Sequence, residues 1–119
     1  MINRRLPNII VPKDDDSLMA LYENRDVDGE YIVFPIGIKD LQEIFASGLF
    51  DKINEKTGVK IDFNEEADIT EPPEIDNLIS TLAEFMTGQE DPVLKYYFES
   101  FDYLFQKAKE LNTGVFFYF

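Results

Sequence analysis

The stretch I-D-F-N-E-E-A-D-I-T-E-P-P-E-I-D, residues 61 to 76, carries seven carboxylates and no base: Asp62, Glu65, Glu66, Asp68, Glu71, Glu74 and Asp76. Between Lys60 and Lys95 the chain has ten acids and neither Lys nor Arg. Carboxylates at this density suit calcium binding, acid–base catalysis or docking on a cationic partner. Calcium requires ligands at fixed loop positions. Asp62, Asn64 and Glu66 would take positions 1, 3 and 5 of an EF-hand loop. The turn glycine of position 6 is Ala67, and the bidentate glutamate of position 12 is Pro73. Both discriminating positions therefore fail. Asp14-Asp15-Asp16 also lacks flanking ligands at metal spacing.

Acid–base catalysis has no better support. With 24 acids in the chain, some pair always falls at a suggestive spacing, so the pairing carries no information. There is no His, which removes the usual general base and the commonest metal ligand. There is no Cys, which removes thiolate chemistry, disulfides and sulfur-built zinc sites. Neither G-x-S-x-G, a P-loop nor G-x-G-x-x-G occurs. The chain is expected to be no enzyme, with no cofactor and no metal.

Electrostatic docking remains. The formal charge is −13, which disfavours nucleic acid and anionic membranes and favours a basic protein partner. The acidic stretch admits two readings. One is a solvated loop between a strand and a helix. The other is a docking surface, anchored by Ile69 and stiffened by Pro72 and Pro73. A second acidic cluster, Glu23, Asp26, Asp28 and Glu30, is a candidate to join it at the same end of a sheet.

These side chains need a scaffold, and the composition supplies one. At 45% apolar residues, with eleven Phe and six Tyr, 119 residues suffice for a single domain with its own core. Residues 30–36 (E-Y-I-V-F-P-I) are branched and aromatic and predict a strand buried on both faces near Ile32 to Phe34. V-K-I-D-F (59–63) alternates strictly, as a half-buried strand does. V-F-F-Y-F (115–119) must pair in a sheet, because such a run would aggregate if exposed. N-I-I-V-P (8–12) ends in Pro and predicts an edge strand or extended arm.

Helices are predicted between these strands. Asp16 or Ser17 can cap a short one carrying Leu18, Leu21 and Tyr22. Ile38, Leu41, Ile44 and Phe45 form the apolar face of another, which kinks or divides at Ser47-Gly48. Ile75, Leu78, Ile79, Leu82, Phe85 and Met86 make the clearest amphipathic helix. Asp91 and Pro92 cap and open the last helix, whose wide apolar stripe predicts a central position. Beside that stripe run Tyr96, Ser100, Tyr103 and Lys107. They are either half-buried rings with wet hydroxyls or a Tyr-bearing contact face. The predicted fold is α+β. A small antiparallel or mixed sheet of three to four strands (30–36, 59–63, 115–119, with 8–12 as the candidate fourth) is packed by three to four helices.

In size, charge and layout the chain resembles immunity proteins of bacterial polymorphic and contact-dependent inhibition toxin systems. The resemblance rests on the α+β order, the acidic stretch 61–76 and the ending K-A-K-E-L-N-T-G-V-F-F-Y-F. It covers the architecture, and no functional residue is carried over by position. It implies an antitoxin that binds its cognate toxin stoichiometrically. Under that implication the partner-binding residues are Asp62, Glu65, Glu66, Asp68, Glu71, Glu74 and Asp76, joined by Glu23, Asp26 and Asp28. The alternatives are a DNA mimic, with carboxylates in rows spaced like phosphates, and a non-catalytic adaptor whose acidity provides solubility. The first residues lack a signal-peptide core and no apolar run spans a membrane, so the expected location is cytoplasmic.

Overall fold

The computed structural model describes residues 6–25 and 28–119. The elements run β1 (Asn8–Pro12), α1 (Asp15–Tyr22), β2 (Tyr31–Pro35), α2 (Ile38–Ala46), α3 (Leu49–Thr57), β3 (Glu66–Ile69), α4 (Pro72–Met86), α5 (Pro92–Leu111) and β4 (Val115–Tyr118). The strands form one antiparallel sheet in the order β2-β1-β4-β3. The predicted α+β class holds.

Strand alternation gives the sheet two different faces. Ile9, Val11, Ile69, Val115 and Phe117 point to one face and are buried with apolar residues of α2 to α5. Ile10 and Phe116 point to the other and are covered by Leu18 and Leu21 of α1. The first face holds the main core, with Phe50, Phe98, Phe101, Phe105 and Phe117 all fully buried. Each such ring stabilises the fold by about 1.5–3 kcal/mol relative to leaving it exposed. The aromatic strand β4 pairs on both sides, with β1 and β3, so no aggregation-prone edge is left there.

Local signals account for most helix boundaries. Asp14, rather than Asp16 or Ser17, caps α1, accepting from the Ser17 N–H at 2.7 Å. Gly48 adopts φ 89°, a left-handed conformation that separates α2 from α3, so the described residues form five helices rather than three to four. Pro72 and Pro73 occupy the first turn of α4. Asp91 accepts from Val93 N–H and Leu94 N–H to cap α5, whose buried stripe runs from Tyr97 to Ala108.

Three strand expectations are corrected. Residues 59–63 form no strand; the strand is Glu66–Ile69, inside the acidic stretch. Ile61 is buried as the alternation predicts, at 2% exposure. Its backbone partner is a side chain, however. Asn54 donates Nδ2 to Ile61 O at 3.0 Å and accepts from Ile61 N at 2.9 Å, imitating a neighbouring strand. Second, β1 is central rather than an edge. Its proline is the last residue, and the Pro12 carbonyl accepts from the buried Thr113 hydroxyl at 2.7 Å. Third, β2 is not buried on both faces. It is an edge strand, and Val33 on its second face is 42% exposed.

Candidate functional site: the acidic edge of the sheet

The acidic stretch is neither a loop nor a single patch. It is a turn, an edge strand and the start of a helix. Ala67 and Ile69 face the main core. Glu66 and Asp68 lie opposite Tyr118 and Phe116 and turn to the α1 side. The Phe119 N–H donates to Glu65 O at 3.3 Å, so antiparallel alternation commits the backbones of Ala67 and Ile69 to β4 and turns that of Asp68 outward. Carboxylates on a short edge strand also oppose pairing with another chain.

The individual acids differ in their surroundings. Asp62 is exposed and accepts from the Phe63 N–H at 2.8 Å. Glu65 and Glu66 stand at a cleft of about 490 Å³ with Phe63, Asn64, Tyr118 and Phe119. Asp68 accepts from the Tyr22 hydroxyl at 3.0 Å, while the Tyr22 ring packs edge-on to Phe116 at 5.5 Å. Burial, and then the negative charges of Asp68 and Glu71, hold the Tyr22 hydroxyl above the ordinary tyrosine range. Glu71 precedes α4 and Glu74 lies in its first turn, where the positive end of the helix dipole favours them. Glu74 is half-buried, and its Oε2 has no hydrogen-bond partner among the described residues. Asp76 is tied to Lys109 at 2.9 Å.

The second cluster is balanced internally. Arg25 bridges Glu23 at 2.7 Å and Asp28 at 3.4 Å, and the Glu23 contact above all raises the guanidinium pKa further. Asp26 lies outside the described residues. Tyr22, the neighbour of Glu23, reaches across to Asp68 and so joins the two clusters on one side of the sheet. Glu30, by contrast, lies beside the start of α1, where its N–H donates to Ser17 Oγ at 2.8 Å.

The structure therefore brings Glu65, Glu66, Asp68 and Glu71 along one edge and sets Asp76, Glu23 and Asp28 apart as ion-paired neighbours. Among the described residues, Asp62, Glu65, Asp68, Glu71 and Glu74 form no ion pair with Lys or Arg. Residues 62 to 73 cross a turn, a strand and a helix start, so they do not wrap a single cation site. No group of three His, Cys, Asp or Glu among the described residues is placed to hold a metal ion.

Two contacts had no signal in the sequence. Tyr22 and Asp68 are 46 positions apart. Tyr97 donates its hydroxyl to Asp40 Oδ2 at 2.6 Å, tying α5 to α2. Burial and then the Asp40 carboxylate push the Tyr97 pKa up to about 12.

No protein family, curated protein or solved structure matches the chain. Among the described residues no helix is long and apolar enough to cross a membrane.

Proposed function

We propose that this chain is an acidic binding protein that neutralises a basic protein partner, and specifically an immunity protein that blocks a cognate bacterial toxin such as a nuclease. One observation carries the reading: the five carboxylates on and beside β3 that have no Lys or Arg partner among the described residues. Carboxylates without a Lys or Arg beside them attract a cationic surface over a distance of about 10 Å and speed encounter. Such capture suits an inhibitor that must intercept a toxin inside the cell producing it. Asp68 is fixed on the paired strand and Glu71 and Glu74 at the start of α4, so little ordering of these positions is needed on binding.

The test is protection. A candidate toxin domain, sought in the reading frames flanking this gene, is expressed in bacteria with and without the protein. Growth is expected to be restored by the wild-type chain and lost with Glu65→Lys, Glu66→Lys and Asp68→Lys combined. Full protection by the combined variant would show that another surface is used. Wild-type failure to protect would remove the immunity reading. A DNA mimic would instead strip a DNA-binding protein from its DNA, which an electrophoretic shift assay reads directly.

A further inference from the structure

The two edges of the sheet are built differently. β3 carries Glu66 and Asp68, whereas β2 (Y-I-V-F-P) carries no charge at all. We propose that β2 receives an extended segment of another protein as an added strand, one that alternates apolar with cationic side chains.

The backbone geometry comes first. Flanking bonds run from Lys13 N to Glu30 O at 3.0 Å and from Ile36 N to Pro7 O at 2.8 Å. With Ile9 opposite Phe34 and Val11 opposite Ile32, alternation directs the backbones of Ile32 and Phe34 into β1. The N–H and C=O of Val33 and the C=O of Pro35 then point away from the sheet. Pro35 has no N–H, so the pairing is confined to a stretch of about four or five residues.

The side chains supply the specificity. On the core side, a groove of about 390 Å³ runs between β2 and α5. Its walls are Ile32 and Phe34 on the strand and Tyr96, Glu99 and Tyr103 on the helix. Tyr96 and Tyr103 are 58% and 55% exposed, so both rings are accessible to a strand laid in the groove. A strand laid along β2 would send alternate side chains into this groove. On the other side, α1 begins beside β2. Ser17 Oγ accepts from Glu30 N at 2.8 Å, and the Tyr31 hydroxyl donates to Ser17 O at 3.1 Å. Asp15 and Asp16 precede Ser17 and are exposed. The remaining side chains of the added strand would face these acids, and Lys or Arg complements them. A second copy of this chain would bring its own charge of −13 to the same edge, so the charge favours a foreign basic segment.

The test uses a fluorescein-labelled, acetylated and amidated peptide, Lys-Val-Lys-Phe-Lys-Val-Lys, titrated with the full chain at physiological salt. Anisotropy should saturate. Amide shifts in a nitrogen–proton spectrum should centre on Ile32–Phe34 and Tyr96–Tyr103. Tyr96→Ala with Tyr103→Ala, both at exposed positions, should weaken binding at least about tenfold. The same peptide N-methylated throughout keeps its charge but has no N–H to donate to the Val33 and Pro35 carbonyls, and its methyl groups obstruct strand pairing, so its binding should be lost. The proposal is overturned by equal binding of the methylated peptide, by shifts centred on Glu66–Ile69, or by no saturation at about 1 mM peptide. Sedimentation showing a dimer joined through β2 would overturn it too. Shifts centred on Glu66–Ile69 would instead support the acidic edge as the basic-partner surface, and the other outcomes leave that edge to its own test.

Discussion

Gly114 is where the acidic strand is pressed against the rest of the sheet, and replacing it with Ala tests that placement. Gly114 precedes β4 and faces the end of β3. A Cβ there would stand 2.6 Å from Thr70 Cγ2, 2.9 Å from Ile69 O and 3.2 Å from Thr70 Cα. Two of these are backbone atoms, so the new methyl cannot be accommodated by a side-chain rotation. Gly114 does not have a positive φ, so the left-handed penalty on a side chain does not apply there. The expected penalty is therefore steric. Overpacking of this kind costs about 1–3 kcal/mol. For a chain of this length that corresponds to a fall in Tm of roughly 4–12 °C. Guanidinium unfolding followed by circular dichroism gives the free energy, and amide exchange at Ile69 and Val115 locates the damage. Thr70→Ser removes Cγ2 while leaving the carbonyl contact. The double variant should therefore recover part of the loss, with a coupling of about 0.5 kcal/mol or more. A Gly114→Ala protein within about 0.5 kcal/mol of wild type, or a double variant that shows no recovery, would refute the close approach of β3 to β4.

Other perturbations have equally definite outcomes. Tyr97→Phe keeps the ring contacts with Phe34 and Phe101 but removes the bond to Asp40, and should cost about 1.5–3 kcal/mol by denaturant unfolding. Because the Tyr97 pKa is raised to about 12, its contribution is complete below pH ~10 and drains away as pH rises towards 12. Wild type should lose stability over that window more steeply than Tyr97→Phe; equal slopes would contradict the assignment. Asn54→Ala leaves the N–H and C=O of buried Ile61 without their partner and should destabilise by about 1–3 kcal/mol, whereas an unchanged midpoint would mean that water replaces the amide. Asp91→Ala removes the cap of α5 and should cost about 1 kcal/mol in the same assay.

The helices were legible because their signals are local and repeated. The apolar positions from Ile75 to Met86 recur at helical spacing, and Asp91-Pro92 marks the start of α5 within two residues. The strand Glu66–Ile69 was not legible. Only Ala67 and Ile69 of its four residues face the core, and its partner β4 lies nearly fifty positions away. Residues 59–63 have the alternation of a strand without the pairing, because Asn54 satisfies Ile61 from within the preceding helix. The central place of β1 was hidden by Pro12, which is harmless only because it ends the strand. The candidate site was legible as a list of acids and not as an arrangement. Nothing in the sequence distinguishes Asp76, paired with Lys109, from Asp68, held by Tyr22. The uncharged composition of β2 was visible, but its position at an edge emerges only from the strand order.

The central claim is that the carboxylates along β3 bind a basic protein. The direct test is calorimetric titration of a candidate basic partner, a toxin domain from a flanking reading frame, into wild type and into Glu65→Lys/Glu66→Lys/Asp68→Lys. Each titration is run at about 50 mM and about 500 mM salt, where the screening length falls severalfold. The account predicts nanomolar binding by wild type that weakens at least about tenfold at high salt, and a further large loss in the variant. Affinity that is insensitive to both salt and charge reversal would contradict it.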